Sequence, residues 1–338
     1  MGRKILSSDF YTLQKENGVA KISIHSFPTL YKYQPVSEYS LHNFEYDEIW
    51  GTVPAAFNDP YDSSVCYSEN KVNKFIKENL TEQRIENYKL FPQTTKKSDI
   101  AEFITRNLID CDNYRKQYCV ACFSIYNDSE IMWAHYADLA KGFCLAYDSQ
   151  ALMNAAAACS QKIANRIRES SSLDVDFSEF DNQPSIMPVI YNGTKINITD
   201  KIINVLPLFF EYLDKLSCGV SQTEACCETV LGNLNVIREQ LKENRFVTPT
   251  MLCSKNKEWR YEQEWRIFTH NENLYFGNPK DSHMAIGNIV AKAVYLGERM
   301  HEYSRRMIIA MAKEKNIPVY QMRSKMYKNN YRLNPILL

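Results

Sequence analysis

Glycine is scarce in this chain, ten residues in 338, while tyrosine and phenylalanine number 22 and 16. That balance excludes a disordered chain and fits a packed globular protein. An excess of charge of either sign is also missing, because 40 basic and 40 acidic residues cancel. No global field therefore favours nucleic acid or an anionic membrane, which leaves room only for a local basic groove. No apolar run approaches membrane-spanning length. No secretory leader is recognisable at the start, and Met-Gly-Arg-Lys-Ile-Leu has no Ser or Thr in sixth place for a myristoylation signal. A cytoplasmic location with no membrane partner is the expectation. The ten cysteines offer one metal-type or redox-type spacing, Cys119-Val120-Ala121-Cys122, with no second matching pair, and Cys226 and Cys227 stand side by side in a helix-like stretch. Buried free thiols of a reducing compartment are expected rather than a zinc site.

The length admits roughly one to three domains, and the pattern of elements predicts a single α+β domain with a central mixed or antiparallel sheet. Residues 1–27 read as a peripheral lead-in. Strands are predicted at Leu30–Tyr33 and Glu48–Val53, with a polar helical turn or two over 37–46 between them. Phe57-Asn58-Asp59-Pro60-Tyr61-Asp62 is rich in reversal residues and reads as a turn closing the second strand. Two helical insertions follow, at about 69–117 and 149–250, the second holding a polar stretch at 169–185 and a strand candidate at Val189–Tyr191. Between them lies a strand, helix, strand unit: Tyr118–Ser124, then a helix capped by Asn127-Asp128-Ser129, then Phe143–Tyr147. Gly142 is expected to supply the left-handed cap of that helix. Later come a strand over Ile289–Leu296, a helix from His301 to Lys315 and a last strand at Pro318–Met322. A basic tail (Arg323, Lys325, Lys328, Arg332) reads as a solvated end.

Charge and aromatic density peak at Lys257-Glu258-Trp259-Arg260-Tyr261-Glu262-Gln263-Glu264-Trp265-Arg266-Ile267. Read as an extended strand, the period of two places Glu258, Glu262, Glu264, Arg260 and Arg266 on one side and the aromatic residues on the other. Such a carboxylate pair over an apolar floor suits acid/base work or stabilisation of a cation. It equally suits a solvated strand face with cross-strand ion pairs.

Six blocks occur in a familiar order: Leu-Tyr-Lys-Tyr at 30–33, Phe-Asn-Asp-Pro-Tyr-Asp at 57–62, Cys-Phe-Ser at 122–124, Met-Trp-Ala-His-Tyr-Ala-Asp at 132–138, Lys-Gly-Phe-Cys-Leu at 141–145 and Tyr-Glu-Gln-Glu-Trp-Arg at 261–266. Together they resemble the bacterial domain-of-unknown-function family numbered 2971, over roughly residues 30–300. The order of elements is similar, more distantly, to ADP-ribosyltransferases, and that likeness implies their fold and NAD as a substrate. On it, Glu264 or Glu262 is the catalytic carboxylate that stabilises the oxocarbenium-like cation formed when the glycosidic bond of NAD breaks. Ser124 falls at the supporting middle-strand position. Lys32 stands where the family carries His or Arg, a departure from its pattern. Tyr136 or Tyr33 is placed to stack on nicotinamide, Asn58 and Asp59 sit on a ligand-facing loop, and Arg266 faces a phosphate or a glutamate. The same analogy implies a toxin or phage-defence effector, allows a partner from a defence operon, and leaves open whether the acceptor is protein or nucleic acid.

Two other readings stand beside this one. A magnesium-dependent nuclease would use Asp59, Asp62, Glu262 and Glu264. A non-catalytic sensor or binding module would use Glu-x-Glu-Trp-Arg as a structural ion-pair strand. His135, among apolar helix neighbours, reads as a core histidine or one that supports the site through another residue, rather than as a base, and Trp133 reads as core.

Overall fold

The computed structural model describes residues 9–16, 19–87, 96, 115–170, 186–204, 206–207, 210, 214, 249–278, 280–324 and 331–338. The chain divides into two compact units, one of Met1–Asp62, Lys116–Gly193 and Lys255–Leu338, the other of Ser63–Arg115 and Thr194–Ser254.

The second unit is mainly helical where described. Helices Glu69–Asn79 and Glu82–Asn87 accompany a parallel pair of two-residue strands, Val65–Cys66 and Ile196–Asn197. Val72, Ile76 and Leu80 recur at helical spacing and are buried, as are Ile202, Leu206 and Phe210. Arg84 pairs with Asp214 at 3.2 Å and lies 5.4 Å over the Phe210 ring. Most of the predicted helical stretches beyond these, with Cys226, Cys227 and the polar segment from 171 to 185, lie outside the described residues, as do Lys325 and Lys328 of the tail.

The first unit holds a ten-stranded mixed sheet. Its elements in chain order are β1 (Tyr11–Glu16), β2 (Val19–Ile24), β3 (Leu30–Gln34), α1 (Glu38–Glu45), β4 (Glu48–Thr52), β5 (Tyr118–Ser124), α2 (Glu130–Tyr136), β6 (Phe143–Tyr147), α3 (Ser149–Ser170), β7 (Ile186–Pro188), β8 (Ile190–Asn192), β9 (Glu264–His270), β10 (His283–Asn288), β11 (Ala293–Leu296), α4 (Glu302–Glu314), β12 (Val319–Arg323) and β13 (Asn334–Leu337). The sheet runs β10-β4-β5-β3-β6-β11-β12-β13, with β9 against β5 and β7. Among these pairings only β11 with β12 is parallel. α4 links these two strands, and a crossover of this kind is what parallel pairing requires.

β5 is the branch point. One edge pairs with β9 from Ser124↔Glu264 to Tyr118↔His270. The other edge is shared: Val120 meets Thr52 of β4, and Ser124 meets Tyr31 of β3. The sheet therefore splits beside β5, and the residues near the split at Ser124 belong to the cavity described below.

Caps and burial explain the helices. Ser37 and Ser40 form a reciprocal capping box on α1, Ser129 accepts from the Met132 amide to start α2, and His301 caps α4. The larger core lies on one face of the sheet. Phe44 of α1, Leu152 and Ala156 of α3, and Ile308 and Ala312 of α4 pack there on Leu30, Phe123, Leu145, Trp265, Ile267 and Val294. Each such large apolar side chain contributes about 1.5–3 kcal/mol on burial. On the opposite face α2 inserts Met132 and Trp133 against Tyr33, Cys144 and Met322.

Several sequence expectations are corrected. Tyr11–Glu16 and Val19–Ile24 pair as antiparallel strands, with the Tyr11 ring edge-on to Trp265 at 6.0 Å, and are not a lead-in. The left-handed residues after α2 are Asp138, Leu139 and Ala140, not Gly142. Gly142 is needed for space, because a Cβ there would sit 2.1 Å from the Gln34 carbonyl oxygen. The strand expected over Ile289–Leu296 begins only at Ala293, and β10, unseen in the sequence, precedes it. Pro318–Met322 is not the last strand, since β13 follows it. Arg332 of the tail is not a free solvated end, because it pairs with Asp128 at 2.7 Å.

Among the described residues no cysteine is joined in a disulfide. Cys119 and Cys122, three apart on β5, point to opposite faces, so the spacing that suggests chelation in a loop cannot chelate here. Among the described residues no helix is long and apolar enough to cross a membrane.

Candidate functional site

The charged stretch at 257–267 is not one strand. Lys257–Glu262 is a 3₁₀ helix capped by Asn256, and Gln263 turns through φ 44° before β9 begins at Glu264. Glu258 and Arg260 therefore leave the shared face and are not among the buried residues. The turn nonetheless brings Glu262 back beside Glu264. The face is buried rather than solvated: Glu262, Glu264 and Arg266 are 3, 4 and 0 % exposed.

Arg266 is the centre of the network. Its Nη1 and Nη2 donate to both oxygens of Asp62 at 2.8 and 2.7 Å. Its Nε and Nη2 donate to both oxygens of Glu264 at 2.7 and 3.1 Å. A guanidinium is the one side chain whose planar fork can serve two carboxylates in this way. Lys255, in the short strand Ser254–Asn256, closes the cluster. Its Nζ lies 2.6 Å from Glu262, 3.2 Å from Glu264 and 3.3 Å from Asp62, and 4.9 Å over the Trp259 ring. Three carboxylates thus face two cations.

The titration behaviour follows from that imbalance. Burial, with Glu264 alongside, pushes the Glu262 carboxyl up to about 7 against the pull of Lys255. Burial acts the same way on Glu264, but Arg266 and Lys255 outweigh it and hold that carboxyl far below the usual range. Burial would also deprotonate Lys255, yet Glu264, Asp62 and Glu262 keep its ammonium charged. Glu262 is therefore the carboxylate with a proton to exchange near neutrality.

A half-open cavity of about 120 Å³ lies over this cluster. Tyr31, Ser124 and Glu264 form one row across β3, β5 and β9, and Cys122 and Arg266 form the next across β5 and β9. Phe57 and Asn58 contribute from the loop after β4, and Met132 and Tyr136 from α2. The Tyr136 hydroxyl donates to Glu262 Oε1. Ser124 Oγ donates to the Glu262 carbonyl at 2.6 Å and accepts from the Tyr126 amide at 3.2 Å, which pins the 3₁₀ turn to β5. The Tyr191 hydroxyl accepts from the Glu264 amide at 2.8 Å.

Of the residues singled out from sequence, Tyr33, Asn58, Ser124, Tyr136, Glu262, Glu264 and Arg266 line the cavity. Asp59 does not; its Oδ1 accepts from the Tyr61 amide at 2.9 Å in an Asx turn. Lys32 does not either. Alternation along β3 sends it to the face opposite Tyr31 and Tyr33, where Nζ lies 5.2 Å over Phe123 and burial lowers its affinity for a proton. Trp133 is core, as expected. His135 is exposed, not core, with Nδ1 3.0 Å from the Tyr261 hydroxyl. Lys255 carries no motif and was missed; its only signal is its place two residues before the charged stretch. Among the described residues no set of three His, Cys, Asp or Glu side chains is arranged to hold a metal ion.

Residues 132–267 match the model of a family described as "Protein of unknown function (DUF2971)". No curated protein and no solved structure matches the chain. The matched stretch begins inside α2, ends inside β9 and holds four of the five clustered charges, Asp62 being the exception. The match spans residues 132–267 of the 338, less than half of the chain.

Proposed function

We propose that this protein is a cytoplasmic, NAD-using enzyme of the ADP-ribosyltransferase type, acting as a toxin or phage-defence effector. The observation that carries the reading is Glu262: a buried carboxyl at a cavity wall, held by Lys255 and Tyr136, and poised near neutrality. Glu264 is the lesser candidate because Arg266 and Lys255 outweigh its burial and hold it ionised far below the usual carboxylate range. The adjacency of β3, β5 and β9 also agrees with the arrangement expected of such enzymes.

In the reaction the bond between nicotinamide nitrogen and ribose C1′ breaks, and its electron pair leaves with neutral nicotinamide. Ionised Glu262 stabilises the positive charge left on the ribose. Water or an acceptor nucleophile then bonds to C1′ and gives up its proton, for which Glu262 is the nearest base. Tyr31, Tyr33 and Tyr136 offer ring faces and edges to nicotinamide.

The nuclease reading is disfavoured because Asp62, Glu262 and Glu264 are engaged by Lys255 and Arg266, and Asp59 lies outside the cavity. The binding-module reading is favoured by the closed pairing around Arg266, though the exchangeable proton on Glu262 has no part in it.

The test is nicotinamide release from NAD by purified protein, with and without EDTA, beside Glu262→Gln and Glu264→Gln. Metal-independent release that falls about a hundredfold or more in Glu262→Gln is expected. No release with or without cell lysate as acceptor, or release indifferent to Glu262, overturns the assignment.

A further inference from the structure

We infer that Tyr136, oriented by Asn58, is a positioning residue for Glu262: its hydroxyl holds one carboxylate oxygen and leaves the carboxyl to exchange its proton with the cavity. The direction of each hydrogen bond carries the argument. Asn58 Oδ1 accepts from the Asp59 amide at 3.1 Å, which fixes the side-chain amide and turns its N–H groups the other way. The Asn58 side chain bonds to the Tyr136 hydroxyl in the sense that favours negative charge there, as a donor does. The hydroxyl nonetheless stays protonated, because burial and the neighbouring Glu262 charge both oppose its ionisation. A phenol that accepts from Asn58 still has its own proton to place, and Glu262 Oε1 takes it. Lys255 Nζ donates to the other oxygen, Oε2, at 2.6 Å. Both oxygens are thus acceptors, and among the described residues no group accepts from this carboxyl. A proton arriving on Glu262 meets donors on two sides, and the cavity that the side chain lines is the side left.

The other hydroxyls of the wall are committed elsewhere. Tyr33 donates to the Tyr126 carbonyl at 2.8 Å, Tyr31 bonds to Tyr295, and Ser124 donates to the main chain of Glu262 rather than to its carboxyl. Tyr136 is therefore the one lining hydroxyl on that carboxyl. It is the last residue of α2, whereas Asn58 belongs to the loop after β4, so their contact fastens two separate elements over the site. The effect on the proton has a defined sign. A donor to the ionised form makes a carboxyl easier to ionise, so Tyr136 works with Lys255 against the burial and the Glu264 charge that push Glu262 up. Without it the carboxyl would be mostly protonated at neutrality and a poorer base there. The catalytic meaning rests on the NAD reading, whereas the proton equilibrium of Glu262 needs no substrate and is measured apart from turnover.

Carbon-13 NMR of protein labelled at its glutamate carboxyl carbons reads that equilibrium, the Glu262 signal being identified by its loss in Glu262→Gln. Tyr136→Phe should raise the Glu262 midpoint from about 7 by about one pH unit or more. Asn58→Ala frees the hydroxyl to turn and accept, so it should raise the midpoint by part of that amount, and by nothing further in a Tyr136→Phe background. With NAD, the acid limb of kcat/KM in Tyr136→Phe should move with the midpoint, a drop of about fivefold at about pH 7 that recovers by about pH 9. Alkali would not restore activity lost through structure alone. A midpoint unmoved in Tyr136→Phe overturns the inference and leaves the NAD reading standing, as does an Asn58→Ala shift of equal size in both backgrounds. A raised midpoint in a protein that never releases nicotinamide sinks the NAD reading and keeps the inference. Should Tyr136→Phe fail to melt cooperatively, Asn58→Ala decides alone, an unmoved midpoint overturning the inference.

Discussion

Removing Glu262 should stabilise the protein at mildly alkaline pH. Its carboxyl sits at about 7 in the fold against an ordinary 4.5. Below about pH 4.5 folded and unfolded chains both carry the proton and no stability is lost. Between 4.5 and about 7 only the folded chain keeps it, so stability falls as pH rises, and above about 7 the whole penalty stands. At 1.36 kcal/mol for each pH unit the gap corresponds to about 3 kcal/mol. Glu262→Gln cannot ionise, and Lys255 keeps Asp62 and Glu264 as partners. The variant should therefore match the natural protein within about 1 kcal/mol near pH 5 and exceed it by up to about 3 kcal/mol near pH 8. Urea titration followed by tryptophan fluorescence reads this directly, because Trp50, Trp133, Trp259 and Trp265 all lie in the first unit. Comparing two proteins across the same pH interval cancels the histidines. Urea midpoints that run parallel from pH 5 to pH 8 would refute the reasoning. A residue whose removal stabilises the fold is retained for something other than stability.

Two further outcomes follow from the same geometry. Arg266→Met leaves Asp62 and Glu264 buried without their shared fork and should cost about 3–5 kcal/mol in urea titration, with Arg266→Lys recovering only part; a loss under about 1 kcal/mol would show the network to be ornamental. Gly142→Ala should lower the melting temperature sharply, by the equivalent of about 3 kcal/mol, because the new Cβ meets backbone that cannot step aside; an unchanged melting temperature would contradict the packing.

The strand and cap signals were legible because they are local. Ser129 before an apolar helix face, the apolar run of β6 and the alternation of β5 need no knowledge of the rest of the chain. The Glu262 and Glu264 pairing was also legible, though by the wrong route. A continuous strand would have placed the two carboxylates on one face, and the structure reaches the same result through a 3₁₀ turn closed by left-handed Gln263. Lys255 was illegible, since it lies only seven and nine residues before Glu262 and Glu264 but meets them because the 3₁₀ helix between folds the chain back, where a continuous strand was expected. The fate of Lys32 was decided by the parity of β3: the neighbouring Tyr31 and Tyr33 took the cavity side. Likewise the β1–β2 pair draws its support from Trp265, more than two hundred positions away, so its own residues announce little.

Asp62 and Lys255 lie 3.3 Å apart in space, and each is the residue at which the first unit's chain is interrupted by the second. A peptide trimmed to 132–267 would keep four members of the charge cluster and lose the carboxylate that fills half of the Arg266 fork. Such an excised piece would lack both carboxylate oxygens to which Arg266 Nη1 and Nη2 donate here. The smallest heritable unit of this site is thus larger than the stretch by which the family is recognised, and any transplantation of it must carry the Asn-Asp-Pro loop as well.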